Sequence, residues 1–549
     1  MSTSESAVPT TASPTATVEG LVDLELPGHT ISRHVYGHFS EHLGRCIYGG
    51  FFVGADSEVP NEDGIRLDVV EALKALDIPN LRWPGGCFAD DYHWKDGIGP
   101  RDQRPTMVNS HWGDVVEDNS FGTHEFMHLC ELLGTEPYVS ANVGSGTVKE
   151  ASDWVQYLTR GDDSPMAALR RANGREEPWR VRFWGLGNEP WGCGGRMSAE
   201  AYGELARTFG TYSRDMGTNE LYRIAAGAAN ADYRWTEVLM KALGRRLGGA
   251  EDPGFGNGAF QAISFHCYTV AGSWEEKGSA TQFDLEQYYA TVLQAQRIEE
   301  VLAGHARVMD VYDPAGEIGL VLDEWGTWFD VEPGTNPGFL FQQNSLRDAL
   351  VASLHFDAFH RHADRLVMAN IAQTVNVLQA MLLTDEESGA LVLTPSYHVF
   401  EMNKGHHDAA NLTVHLRGDL PTRTLPDVRG LGGHGPAGHG LHERGPAELT
   451  TVSVSASRKD GRALFSATNL DAEAPVTLRL ALRGTTGGRP TARLLTADAP
   501  QAHNTPQRLD AVVPRDHGDG VRLEGGPGAQ TLVLELPPHS FATVELPLP

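Results

Sequence analysis

Phe183-Trp184-Gly185-Leu186-Gly187-Asn188-Glu189-Pro190-Trp191 is an apolar run that ends abruptly in Asn-Glu. Four residues of buried character followed by Gly, a carboxylate and Pro read as a strand that stops where its side chains begin to do chemistry. The same grammar recurs at Gly319-Leu320-Val321-Leu322-Asp323-Glu324-Trp325-Gly326. Two strands ending in a glutamate beside tryptophan suit a barrel of parallel strands, whose functional groups sit at the C-terminal strand ends.

Working outward, further short apolar runs alternate with stretches of helical spacing. Strands are expected at 34–42, 79–84, 136–143, 181–187, 223–229, 262–268, 319–324 and 365–372. Helices are expected between them, at 64–76, 124–133, 199–216, 285–302 and 344–360. Eight strands interleaved with helices predict a (β/α)8 TIM barrel over residues 31–400. The competing open doubly wound sheet lacks the glycine-rich turn after its first strand.

Composition changes near residue 402. All eleven Trp lie between Trp83 and Trp328, and no Trp, Tyr, Cys or Met follows Met402. Residues 401–549 alternate apolar and polar, as in Val476–Leu482, Leu532–Leu536 and Ala542, Val544, Leu546. That pattern predicts an all-β, jelly-roll-like sandwich. Leu21–Leu26 is also apolar at alternate positions, and residues 19–30 are expected to add a strand to the sandwich. Residues 421–446, rich in Gly, Pro and His, read as a surface loop. Residues 1–18, rich in Ser, Thr, Ala and Pro, read as a disordered lead-in without the basic and apolar regions of a secretory signal.

The 44 basic and 72 acidic residues leave a formal charge of −28. Such a chain offers no basic face to nucleic acid or an anionic membrane, and no apolar run is long enough to span a bilayer. A cytoplasmic location is the plain expectation. The five cysteines (Cys46, Cys87, Cys130, Cys193 and Cys267) show neither zinc-ligand spacing nor a paired framework. His434, His439 and His442 sit in a Gly/Pro setting with no carboxylate pair to complete a site, so no metal is expected.

The chemistry therefore rests on the carboxylates. Cleavage of a glycosidic bond needs two, one to protonate the departing oxygen and one to attack or to activate water. Glu189, set between Trp184 and Trp191, has the desolvated surroundings that let an acid keep its proton. A helix cap or an ion pair is the plainer role for either glutamate alone. Asp323 adjoins Glu324 and, on a regular strand, would point to the opposite face.

At these residues the sequence resembles glycoside hydrolase family 51, the α-L-arabinofuranosidases. The likeness extends through Val35-Tyr36-Gly37-His38-Phe39-Ser40-Glu41-His42-Leu43-Gly44, Arg82-Trp83-Pro84-Gly85-Gly86-Cys87-Phe88 and Asn188-Glu189-Pro190-Trp191-Gly192-Cys193-Gly194. Ser264-Phe265-His266-Cys267-Tyr268, Asp323-Glu324-Trp325 and Ala372-Gln373-Thr374-Val375-Asn376 continue it in family order.

The resemblance implies a retaining double displacement with Glu189 as acid/base and Glu324 as nucleophile. It implies substrate contacts from Glu41, Asn188, His266, Tyr268, Trp328 and Gln373, and it needs no cofactor or metal. Cys87 is expected among the substrate contacts too, although it stands where many relatives have Asn and a subset has Cys. The implied substrate is an oligosaccharide bearing terminal arabinofuranose, and the implied assembly is a homo-oligomer, commonly a hexamer. Alternatives on the same scaffold are an endo-β-1,4-glucanase, a xylan-active enzyme or another furanosidase. A non-catalytic sugar-binding protein is the alternative from a different class.

Overall fold

The computed structural model describes residues 15–243, 260–429, 444–484, 487–526 and 528–549. Eight parallel strands close into a barrel: Gly37–Phe39, Asn80–Trp83, Glu136–Ala141, Phe183–Leu186, Tyr222–Ala229, Ala262–Thr269, Gly319–Thr327 and Leu366–Ala372. They are called barrel strands 1 to 8 in that order. All four residues of strand 4 are buried, which is why its sequence shows no polar alternation.

Strand 7 runs to Thr327, three residues past Glu324, and it is not regular. Phe265 of strand 6 pairs with Leu322, but His266 pairs with Glu324, so Asp323 is one residue too many. This bulge re-aims a side chain.

Helices Leu67–Leu76, Thr123–Leu133, Ala199–Tyr212 and Leu346–Arg361 fall where helical spacing predicts them. The stretch 285–302 is instead two helices, Leu285–Gln296 and Ile298–Tyr312, meeting at Arg297. Helix Leu346–Arg361 is buried from Leu346 through His360, because it lies between the barrel and a second body.

That second body is a ten-stranded sheet whose two halves share one apolar core. Val544 and Phe465 from one half pack in the same cluster as Leu478 and Leu534 from the other. The strand joining the halves is Ala16–Thr30. It runs antiparallel to Ala410–Arg417 and parallel to Val476–Arg483, with Val18 opposite Leu478 and Val22 opposite both Val414 and Leu482. The strand thus begins at Ala16, within the expected lead-in, whose residues 1–14 lie outside the described residues.

The expected loop 421–446 needs correction at both ends. Thr422–Arg429 and Arg444–Thr450 pair antiparallel, from Thr422↔Thr450 to Arg429↔Arg444. The intervening residues, with His434, His439 and His442, lie outside the described residues.

The seam between barrel and sheet is polar and closely satisfied. His360 bonds Tyr36 Oη at 2.6 Å and Ser455 Oγ at 3.0 Å. His406 bonds Ser457 at 2.7 Å and Ser466 at 2.9 Å, and Ser466 Oγ donates to Asn403 Oδ1.

Candidate active site

Strand 4 delivers Glu189 through a sharp turn. Gly187 has φ +82° and Glu189 itself has φ +38°, a left-handed conformation that costs a non-glycine residue about 1–3 kcal/mol. Asp90 holds the turn: its Oδ2 accepts from Asn188 N at 2.8 Å, and its Oδ1 accepts from Val143 N and Gly144 N. One buried carboxylate thus ties together the chain following strands 2, 3 and 4. Burial pushes Asp90 up to about 7 despite those three donors.

Glu324 enters from strand 7. Its Oε1 accepts from Arg82 Nη1 at 2.9 Å and its Oε2 from Tyr268 Oη at 2.8 Å. His266, on strand 6, stands between the two glutamates. Its Nδ1 is 2.8 Å from Glu189 Oε1 and 3.4 Å from Glu324 Oε2. A carboxylate oxygen from each glutamate lies within 4.8 Å of the other.

The bulge brings Asp323 into this group, contrary to the expectation that it faces away. Its Oδ1 is 3.1 Å from His266 Nε2, and its Oδ2 accepts from Tyr138 Oη at 2.8 Å. A regular strand would alternate the two side chains; the extra residue places both inside the barrel.

The electrostatics follow from this crowding. Burial alone would strip His266 of its charge, but Glu324, Asp323 and Glu189 reverse that and raise it to about 10. Burial likewise opposes ionisation of Asp323, yet Arg82 and then His266 bring it down to about 2. Glu189 is raised, first by burial and then by the charge of Glu324, with His266 opposing. Glu189 therefore holds its proton to higher pH than a free carboxyl does, beside a Glu324 paired with Arg82.

Glu41 lies at the end of strand 1, fully lined by donors. Phe88 N and Trp112 Nε1 donate to Oε1 at 3.0 and 2.8 Å, and Gln373 Nε2 donates to Oε2 at 3.0 Å. Neither Arg45 nor Arg82 takes it as an ion-pair partner; they pair with Glu386 and with Asp323 and Glu324. Burial, with help from Glu324, lifts Glu41 to about 7. Gly85 and Gly86 are required here. A Cβ on Gly85 would stand 2.7 Å from Glu41 Cγ, and one on Gly86 2.9 Å from Glu324 Oε1.

Asn188 is buried, its Oδ1 accepting from Arg82 Nη2 at 2.6 Å. Gln373 Oε1 is a buried acceptor without a partner among the described residues. Trp328 packs edge-on against Tyr268 and Trp274 at 4.9 and 4.6 Å between ring centroids. Every expected site residue is thus drawn to one end of the barrel.

Cys87 departs from expectation. It forms a disulfide with Cys193, 106 residues away, so it has no S–H to offer a ligand, and the cysteines do contain a pair. Cys193 Sγ lies 3.5 Å from Glu189 Oε2. Cys46, Cys130 and Cys267 are free.

Sequence reasoning also passed over Arg82, Asp90, Tyr138 and Trp112. Arg82 and Asp90 fall in or beside motifs already quoted, and a lone basic or acidic residue in an apolar strand context was the available signal. Trp112 comes from the hairpin Met107–Asn109/Val115–Glu117, which carries no such signal.

A closed barrel with two strand-end carboxylates close together, and with Trp112 bonded to Glu41 and Trp328 packed on Tyr268 beside them, defines the class, a glycoside hydrolase of the (β/α)8 type. Comparison with known proteins agrees and goes further. The family description "Alpha-L-arabinofuranosidase 1 domain" matches residues 72–241, and "Alpha-L-arabinofuranosidase C-terminal domain" matches 323–540. The chain is 47% identical over 517 residues to an intracellular exo-α-L-arabinofuranosidase of Bacteroides ovatus, covering 94% of this chain and 93% of that one.

Among solved structures, the GH51 arabinofuranosidase of Xanthomonas axonopodis pv. citri superposes with TM-score 0.87 at 43% identity, covering 96% of this chain and 99% of that one. The Thermotoga maritima α-L-arabinofuranosidase arabinose complex gives 0.79 at 29% identity, covering 97% and 100%. This chain belongs to glycoside hydrolase family 51, the α-L-arabinofuranosidases.

Proposed function

We propose that this chain is a retaining, exo-acting α-L-arabinofuranosidase that releases terminal arabinofuranosyl units from oligosaccharides. The observation that carries the mechanism is the spacing: carboxylate oxygens of Glu189 and Glu324 within 4.8 Å. Retaining enzymes hold their carboxyl groups about 5–5.5 Å apart, whereas inverting enzymes leave room for a water between them.

In the first step Glu324 attacks the anomeric carbon while the proton of Glu189 passes to the departing oxygen. The carbon–oxygen bond to the leaving group breaks and a glycosyl ester on Glu324 forms. In the second, Glu189 takes a proton from water, the water oxygen bonds to the anomeric carbon, and Glu324 departs as a carboxylate. His266 Nδ1 fixes Glu189 Oε1 throughout, leaving Oε2 to carry the travelling proton.

The surrounding charges suit this exchange. Arg82 and His266 are positive, Asp323 and Glu324 negative, and Glu189 neutral before reaction. After glycosylation the ester on Glu324 is neutral and Glu189 is negative. The group sums to zero in both states, so neither half-reaction leaves an unpaired charge in a buried site.

Glu41, Asn188 and Gln373 supply polar atoms for the furanose hydroxyls, the unpartnered Gln373 Oε1 among them. Tyr268 and Trp328 form the wall beside Glu324. The word intracellular in the Bacteroides ovatus relative's name supports a cytoplasmic site of action for this chain too. A homo-oligomeric assembly belongs to the same reading on family resemblance alone.

The test is release of 4-nitrophenol from α-L-arabinofuranoside, α-D-arabinofuranoside, β-D-galactofuranoside, β-D-xyloside and β-D-glucoside. The α-L-arabinofuranoside should dominate, and Glu324→Ala should lower its turnover by roughly 10⁴-fold or more, as loss of a covalent nucleophile does. Preference for another sugar would overturn the substrate, and undiminished turnover in the variant would overturn the nucleophile.

A further inference from the structure

The disulfide that Cys87 and Cys193 form sits directly against the carboxyl group assigned the proton transfers. Cys193 Sγ is 3.5 Å from Glu189 Oε2, and both sulfurs and a Glu189 oxygen lie within 4.8 Å of one another. While the sulfurs are bonded to each other they are poor ligands, because the thiolate is the metal-binding form. Separated, they would be two thiols and a carboxylate converging on one point.

Both cysteines are held in place by bonds that do not involve sulfur. Gly192 N and Gly194 N donate to Glu189 O at 2.8 and 3.1 Å, folding Cys193 back over the glutamate. Gly194 has no room for a side chain: a Cβ there would stand 1.9 Å from Asn188 O. On the other side, Cys87 opens the short helical turn Cys87–Asp90. Phe88 N is anchored on Glu41 Oε1 and Asp90 on Asn188 N. With Cα atoms 5.5 Å apart, the freed sulfurs need only rotate. Thiolates on one tetrahedral zinc or cadmium, at metal–sulfur distances of about 2.3–2.5 Å, sit roughly 4 Å apart.

We propose that reduction of Cys87–Cys193 uncovers a soft-metal site, formed by both sulfurs and the Glu189 carboxylate, that blocks the enzyme when filled. Thiolates select thiophilic ions such as Zn²⁺ and Cd²⁺ over Mg²⁺ and Ca²⁺. A phosphine reductant supplies the two electrons and becomes its oxide; water supplies the oxide's oxygen and the two protons that end on sulfur. The metal then displaces both thiol protons and the proton of Glu189 to the buffer and binds that carboxylate, which can no longer protonate a leaving group.

The inhibitory part rests on the proposed role of Glu189; the binding part does not. Purified enzyme is divided into an oxidised portion and a phosphine-reduced, desalted portion, and the thiols of each are counted by a colorimetric reagent in denaturant, because Cys46 and Cys130 are buried. Each is titrated with Cd²⁺ while the ultraviolet cadmium–thiolate charge-transfer band and arabinofuranosidase turnover are followed. The oxidised form should show three thiols, and the reduced form five. Only the reduced form should develop the band, at one ion per chain, and lose activity at least tenfold. Mg²⁺ should do neither.

Cys193→Ser should show no difference between its oxidised and reduced portions in band or in cadmium response, whatever its own turnover. Cys130→Ser should behave as the parent. Equal inhibition of both forms without the band would overturn the site and point to the Glu189–His266–Glu324 group instead. Five thiols that no oxidant converts to three would overturn the disulfide, and the proposal with it. A band with full activity would overturn the inhibitory site, because the metal would then sit on the sulfurs without taking the Glu189 carboxylate.

Discussion

Buried histidines at two places in this molecule differ in charge, cationic at one and neutral at the other. At the barrel mouth His266 is raised to about 10, because Glu324, Asp323 and Glu189 outweigh the cost of burial. At the seam with the sheet, His406 is just as buried, faces Ser457 and Ser466, and is lowered to about 3. His360, between Tyr36 and Ser455, is lowered too, by burial and then by His406. Burial sets the penalty for charge, and the neighbours decide whether it is overcome. The mouth is a set of balanced charges suited to moving a proton. The seam is a neutral hydrogen-bonded network suited to holding two bodies together.

The comparison breaks most visibly if Glu189 is not the group whose proton the mouth controls. Glu189→Gln should lower turnover of an arabinose-substituted xylo-oligosaccharide by roughly 10²–10⁴-fold, the usual worth of a positioned general acid. Turnover of 4-nitrophenyl α-L-arabinofuranoside should fall less, since 4-nitrophenol departs without a proton. Equal losses on both substrates would contradict the acid role.

A smaller effect should follow from Asp323→Asn, which leaves the reacting groups in place. Removing one negative charge makes the site more positive and so favours ionised Glu189. The alkaline limb of the kcat profile, where Glu189 loses its proton, should move to lower pH by about one unit, equivalent to ~1.4 kcal/mol. An unmoved limb with reduced turnover would make Asp323 merely structural.

At the seam, Ser466→Ala leaves His406 Nε2 and Asn403 Oδ1 without their partner. The cost should be about 1–3 kcal/mol in denaturant unfolding, with kcat unaltered. The pH dependence has a definite sign. His406 titrates near its ordinary 6.5 when unfolded and near 3 when folded. Its contribution is therefore whole above about 6.5 and is lost as pH falls toward 3. A melting temperature flat from pH 7 to pH 4 would contradict that reading of the seam.

Much of this could be read from the chain before folding. Barrel strands such as Phe183–Leu186 are buried on every side, so they appear as uninterrupted apolar runs, and Glu189 and Glu324 stand where those runs end. Asp323 could not be placed, because alternation along a strand holds only without a bulge, and the bulge is set by pairing with His266 on strand 6. The Cys87–Cys193 bond joins positions 106 residues apart, a separation that gives no local signal. Thr422–Arg429 and Arg444–Thr450 pair as strands, although Gly, Pro and His around them suggested a loop.

The strand Ala16–Thr30 leaves a mark on how the molecule must be made. It lies between Ala410–Arg417 and Val476–Arg483, so it waits for partners synthesised long after it. Its alternating apolar face, Val18, Val22 and Leu24, has no core to enter until the ribosome has delivered the entire barrel. Closing so long a loop costs little more than closing one half its length, but such distant pairing is slow to find. The barrel can form as it emerges; the sheet is finished only when strand Ala16–Thr30 meets Ala410–Arg417 and Val476–Arg483.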